Sequence, residues 1–270
     1  MDKVKALVAE LFMFGLIQLL GIYAATRLLV QQPELYILPQ IPLMVFAGIF
    51  LVSVSVMFIA MHFLKHKFSF KLLFVFLIII GSQTLFSAFF SNTVTVILSL
   101  AVVALWIALP YVAMHNIAII LAIAGISTEL GFSLSISTVL FLFGILSIYD
   151  VIAVYQTKHM IKMFTGLMDR GLLLSLIVPM TRSWFDKTSE VKPKSGFMLL
   201  GTGDVAFPLI FAVAVSKISI VSSLSIAAGA TIGAALVYYM LITQSQPRAI
   251  PALPPIALCS IAAFVASLYI

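Results

Sequence analysis

Apolar positions in this chain neither alternate nor form a stripe. They gather in runs of about 20 residues, repeated from end to end and separated by short connections carrying Pro, Gly, Asn or charge. A helix that is apolar on every side is buried in protein or in lipid. About 20 helical residues, at about 1.5 Å each, cross a bilayer core of about 30 Å. The runs at 5–29, 41–63, 71–90, 93–110, 111–127, 132–157, 197–216, 219–243 and 251–269 therefore predict nine spanning helices. The one ambiguous stretch, Thr93–Ile126, would be a helix of about 50 Å if unbroken. Pro110, His115 and Asn116 argue for a break. The first run is too long for a signal-peptide core and is expected to remain as the first helix.

Composition agrees: 63% of residues are hydrophobic, 9% are charged and the mean hydropathy is +1.23, which excludes a water-soluble fold. The formal charge of +6 does not point to nucleic acid, because Lys and Arg lie in loops beside apolar runs instead of along one helix face. They act as topology signals. With nine spans, 13 of the 15 basic residues fall on the side of the N-terminus and only Arg27 and Lys217 on the other; with 93–127 as one span the division is 6 against 9. The positive-inside rule then selects nine helices with a cytoplasmic N-terminus.

The single domain is read as 1–270, with helices 1–6 over about 5–157, a cytoplasmic loop with a short helix over about 158–196, and helices 7–9 over about 197–270. The short helix is placed at Gly171–Met180, too brief to span, and the polar stretch Arg182–Ser195 is expected to be mobile. Cys259 is the only cysteine, so no intrachain disulfide forms.

Most acidic residues fall in termini or loops, and Glu10 is close to the start of its helix, where solvent explains it. Asp150, in LSIYDVIAV, and Asp204, in LLGTGDVAFP, are different: they lie inside apolar helices, where a charge costs about 2.5–3.5 kcal/mol or more. Asp150 is eight residues before Lys158 and Asp204 about seven after the loop ends, so antiparallel helices place both carboxyls at one depth. Such a pair can share a proton and activate water without a metal. A proton-coupled transporter or cation channel also places carboxylates at this depth and is the alternative.

Gly201 and Gly203 are expected to let a neighbouring backbone approach Asp204, and Pro208 to weaken the helix one turn later. Pro251-Ala252-Leu253, followed by Pro254 and Pro255, is expected to be extended, with backbone groups free for a substrate, although proline is equally accepted in a first helical turn. Gly229 and Gly233 read as ordinary helix packing. No H-E-x-x-H or G-x-S-G occurs, and His62 and His66 read as interfacial.

YD at Tyr149-Asp150, GxGD at Gly201–Asp204 and PAL at Pro251–Leu253, in this order on the sixth, seventh and ninth helices, resemble the presenilin and signal peptide peptidase family of GxGD intramembrane aspartyl proteases. The resemblance covers nearly the whole chain. It implies that Asp150 and Asp204 are the catalytic pair, that Tyr149, Gly201 and Gly203 support the site, and that Pro251, Ala252 and Leu253 engage substrate. It implies no cofactor or metal, and transmembrane helical proteins as substrates within the lipid bilayer, with a homo-oligomer and accessory subunits left open. Charge bias places the chain with the presenilin-like branch, and its compact loops resemble an archaeal homologue, hence a multi-pass protein of a prokaryotic cell membrane. Val205 stands where many relatives carry a larger apolar residue, which bears on substrate preference.

Overall fold

The computed structural model describes residues 3–32, 34, 40–63, 67–156, 166–168, 171–192, 195–244 and 249–269. Within them the chain forms α1 (Lys3–Gln31), α2 (Leu43–Phe63), α3 (Lys67–Ser87), α4 (Asn92–Ala108), α5 (Val112–Ser133), α6 (Ile136–Val151), β1 (Ser175–Pro179), β2 (Phe197–Gly201), α7 (Thr202–Ser216), α8 (Ile220–Ile242) and α9 (Leu253–Ser267). The expected break near Pro110 falls between α4 and α5. His66, Lys158, Lys162, Arg170 and Lys194 lie outside the described residues.

Among the described residues, five stretches are long and apolar enough to cross a membrane: Lys3–Gln31, Ser69–Ser87, Val112–Ser133, Ile136–Gln156 and Ile220–Ile242. α7 and α9 are 15 residues each. At about 1.5 Å per residue each covers only about 22 Å. Both are shortened at the end nearest the candidate site: residues 197–201 form a strand, and Pro251 and Ala252 are not helical. The seventh helix therefore starts at Thr202 instead of 197.

The expected short helix at Gly171–Met180 is corrected as well: Ser175–Pro179 is β1, paired antiparallel with β2 from Ser175↔Gly201 to Pro179↔Phe197. A strand is the better solution because Ile177 and Val178 are β-branched, the stretch is buried on both faces, and proline cannot donate within a helix. Gly171 and Gly196 adopt φ of 81° and 86°, and at Gly196 a Cβ would meet the Thr181 side chain. The hairpin closes there, with Met180 and Thr181 N–H both donating to the Gly196 carbonyl at 2.8 and 3.1 Å.

The 182–195 loop, expected to be mobile, is fastened to the α4–α5 junction. Val112 N–H donates to the Asp186 carbonyl (3.0 Å), Ala113 N–H to that of Trp184 (2.9 Å) and Thr188 N–H to that of Pro110 (2.9 Å). The first N–H groups of a helix have no partner within it, and here the loop supplies them.

Small residues set the helix spacing around this frame. At Gly81 an added Cβ would meet the Ala122 backbone, and at Gly125 the Gly81 carbonyl, so α3 and α5 touch backbone to backbone. Gly229 and Gly233 do the same for α8 against Cys259, Pro255 and Ile256 of α9, which bears out their reading as packing glycines. Their contact fixes the start of α9, beside the candidate site.

Candidate active site

Asp150 occupies the last turn of α6, before a π-helical turn at Ile152–Gln156, and is 6% exposed. Wide turns of this kind occur mostly as local interruptions and often at functional sites. The Leu253 N–H donates to Asp150 Oδ2 at 3.1 Å. Leu253 is the first residue of α9, so its N–H has no acceptor within that helix, and Pro254 and Pro255 fit the first turn, where no donor is required.

Asp204 lies in the first turn of α7, partly exposed, with Gly201 at the N-cap. Asp150 is close enough for its charge to act on Asp204. A Cβ at Gly201 would lie 2.9 Å from Asp204 Oδ2, whereas at Gly203 the nearest atom would be Phe207 Cε2 at 3.9 Å. Contrary to the expectation from the sequence, neither glycine admits a neighbouring backbone. Gly201 makes room for the carboxylate itself, and Gly203 faces open space.

Pro251, Ala252 and Leu253 are buried, and the Leu253 N–H is committed to Asp150. Tyr149 is 51% exposed, and its side chain makes no hydrogen bond to another described residue. Pro208 is buried inside α7, and one turn earlier Gln18 Nε2 of α1 donates to the Val205 carbonyl at 3.0 Å. Proline at 208 leaves the Asp204 carbonyl without its helical donor, so α1 steadies this turn from outside.

A cavity of about 340 Å³ opens beside the first turn of α7, at Thr202 and Gly203. Its lining is almost entirely apolar, with Phe46 and Phe50 of α2, Leu142 of α6, and Gly203, Ala206 and Phe207 of α7.

Three contributors were not assigned to the site from the sequence, where His115 and Asn116 read only as signs of a helix break. Gln18, His115 and Asn116 are 1%, 2% and 3% exposed, and each reaches a backbone group near the site. Their signal was available: a polar side chain inside an apolar helix rarely lacks a partner. Glu10 is the reverse case. It was ascribed to solvent but is 2% exposed, on the face of α1 turned toward Tyr238 of α8.

Residues 10–270 match the family described as signal-peptide peptidase, presenilin aspartyl protease. A solved presenilin family intramembrane aspartate protease, in the C222 space group, is similar with a TM-score of 0.65 and 22% identity over 97% of this chain and 98% of the other. A second, in the P2 space group, gives 0.60 and 23% over 94% and 96%. A search of the curated proteins finds no match. The match over nearly the full length, on the fold of these solved proteases, means that the chain belongs to the signal-peptide peptidase and presenilin family and is an intramembrane aspartyl protease, a multi-pass membrane protein.

Proposed function

We propose that Asp150 and Asp204 are the catalytic pair, cutting transmembrane helical proteins within the bilayer. The observation that carries this is their joint placement: two carboxyls on adjoining helix ends, one gripped by the Leu253 N–H and the other given room by Gly201. One aspartate, ionised, takes a proton from water as the oxygen attacks the scissile carbonyl carbon, while its protonated partner donates to the carbonyl oxygen. Collapse of the tetrahedral intermediate breaks the C–N bond, and the proton passes to the leaving amine.

A helical substrate hides its carbonyls in its own hydrogen bonds and has to unwind first. The apolar cavity beside Gly203 suits the intact helix, with α2 at its outer wall. The hairpin suits the unwound segment: an extended peptide adds to an open sheet edge through main-chain bonds, and β2 leads directly into Gly201 and Asp204. Pro251 and Ala252, at the non-helical approach to α9, are the remaining wall for the substrate to engage.

The orientation we assign is the nine-span arrangement with the N-terminus in the cytoplasm. In support, contacts between loops pair only segments that this topology puts on one side: Gln31 with Ala88, Ile41 with Ser133, Lys217 with Phe132, and Trp184 with Ala113. The membrane we assign is a prokaryotic cell membrane.

The test is cleavage of a single-span substrate by the purified protein in detergent, with and without an aspartyl-protease transition-state inhibitor. We expect inhibitor-sensitive cleavage, abolished by Asp150→Ala and by Asp204→Ala while the fold persists. Activity retained in either variant sinks the pair.

A further inference from the structure

In an antiparallel pair, residues alternate between exchanging both backbone bonds with the partner strand and pointing both groups away from it. Thr202 N–H donates to the Leu174 carbonyl and Met180 N–H to that of Gly196, which puts the even-numbered residues of β1 on the ladder. Ser175, Ile177 and Pro179 therefore turn their backbone groups to the outer edge. Proline at 179 fits, since an outer position needs no ladder donor.

That edge is not open. Asn116 Nδ2 donates to the Ile177 carbonyl at 2.7 Å, and the Ile177 N–H donates to Asn116 Oδ1 at 2.9 Å. The side-chain amide presents one donor and one acceptor to a single residue, as a neighbouring strand would. His115 Nε2 lies 3.2 Å from the Ser175 carbonyl and donates to it, with its ring stacked on Phe74 at 5.7 Å and 7°. Both side chains stand on the first turn of α5, which the 184–188 segment holds by its N–H groups. On the other strand, Leu199 is paired with Ile177 and so turns its own N–H and C=O outward, away from β1. It is partly exposed, and no described residue bonds to those groups.

We propose that Asn116, seconded by His115, is a positioning residue that closes the β1 edge by acting as a fixed third strand. The substrate's extended segment is thereby directed to β2, the edge that runs into Asp204. This rests on the strand-addition reading given above. An unwound segment bonded to β1 would lie a full strand further from the aspartates, about 4.8 Å away, and would be bound without being cut. Two buried bonds on one residue also hold β1, and through the ladder β2, in fixed register with the site.

Amide hydrogen exchange on the wild-type protein, with and without an uncleavable single-span peptide, separates the outcomes. We expect the Leu199 amide to slow when the peptide binds, and the Ile177 amide to be slow already and to stay so. Slowing of Ile177 on binding overturns the assignment while leaving strand addition standing. No change at either strand overturns strand addition, and this proposal with it, but not the aspartate pair. In Asn116→Leu, which keeps the volume and removes both bonds, Ile177 should exchange freely and kcat/KM should fall roughly tenfold, with products cut at additional bonds. Transition-state inhibitor binding should stay within about twofold. Wild-type kcat/KM at one bond in that variant overturns the proposal; should it not fold, the wild-type exchange pattern still decides.

Discussion

Asp150 and Asp204, the proposed pair, are mounted by opposite means. Asp150 ends a regular helix, is almost fully buried, and has its carboxylate held by a backbone donor from another helix. Asp204 begins a helix, is partly exposed, has cavity-lining neighbours in Gly203 and Phe207, and depends on the missing side chain at Gly201 for its position. The difference suggests how a pair of identical groups can be made unequal. One is fixed by an added interaction, the other by vacated space. The shortness of α7 and α9 belongs to the same design. Because α7 starts at Thr202 and α9 at Leu253, the polar first turns of two helices come beside the two carboxyls.

Removing either carboxyl is the largest change, and it should abolish cleavage from both sides alike. The variants that follow should affect the two mounts unequally. Gly201→Val presses on Asp204 alone, because its Cβ would lie 2.9 Å from Oδ2. We expect kcat to fall about a hundredfold with the fold intact, since a displacement near 1 Å at a reacting group costs about that much. A single-turnover rate with inhibitor affinity measures it, and a wild-type rate would show that Asp204 does not rely on that space.

On the Asp150 side, Leu253→Pro deletes the N–H that donates to Oδ2 while keeping a residue that the first helical turn accepts. A fall in kcat of roughly tenfold is expected, below the hundredfold or more of an oxyanion-hole donor because this bond also exists in the ground state. Thermal unfolding should be run beside it, since Leu253 is buried. Gly203→Ala should do less again. Its Cβ meets nothing closer than Phe207 at 3.9 Å and projects toward the cavity, so KM for a transmembrane substrate should rise a few-fold with kcat nearly unchanged. If kcat falls instead, Gly203 belongs to the mount of Asp204.

Apolar run length was enough to find all nine described helices and the α4–α5 break, because lipid leaves a backbone few alternatives to helix. The same signal hid the hairpin. Phe197–Gly201 and Ser175–Pro179 are as apolar as the helices around them, and five residues are too few for periodicity to tell strand from helix. The aspartates were legible from cost alone. Their supports were not, since Gly201, Leu253 and Asn116 act through a missing Cβ, a backbone N–H and an edge-capping amide, which are visible only when distant segments are brought together.

Glu10 supplies the control for the whole comparison. It is a third buried acid, 2% exposed, yet it stands on α1 against Tyr238, whose hydroxyl donates to the Lys3 carbonyl, and its Oε2 has no hydrogen-bond partner among the described residues. Burial alone would rank it with Asp150. Glu10→Gln keeps the shape and removes the ionisable group, so thermal unfolding should show stability unchanged or raised by about 1 kcal/mol, since an unpartnered buried acid contributes little that an amide does not. Cleavage should stay within about twofold of wild type, because the residue offers nothing to hold a substrate or a water against the reacting carbonyl. The same acid-to-amide change at Asp150 should abolish it. Equal losses at 10 and 150, in variants that both stay folded, would mean that the chemistry runs through three carboxyls and that the site is not bounded by α6, α7 and α9.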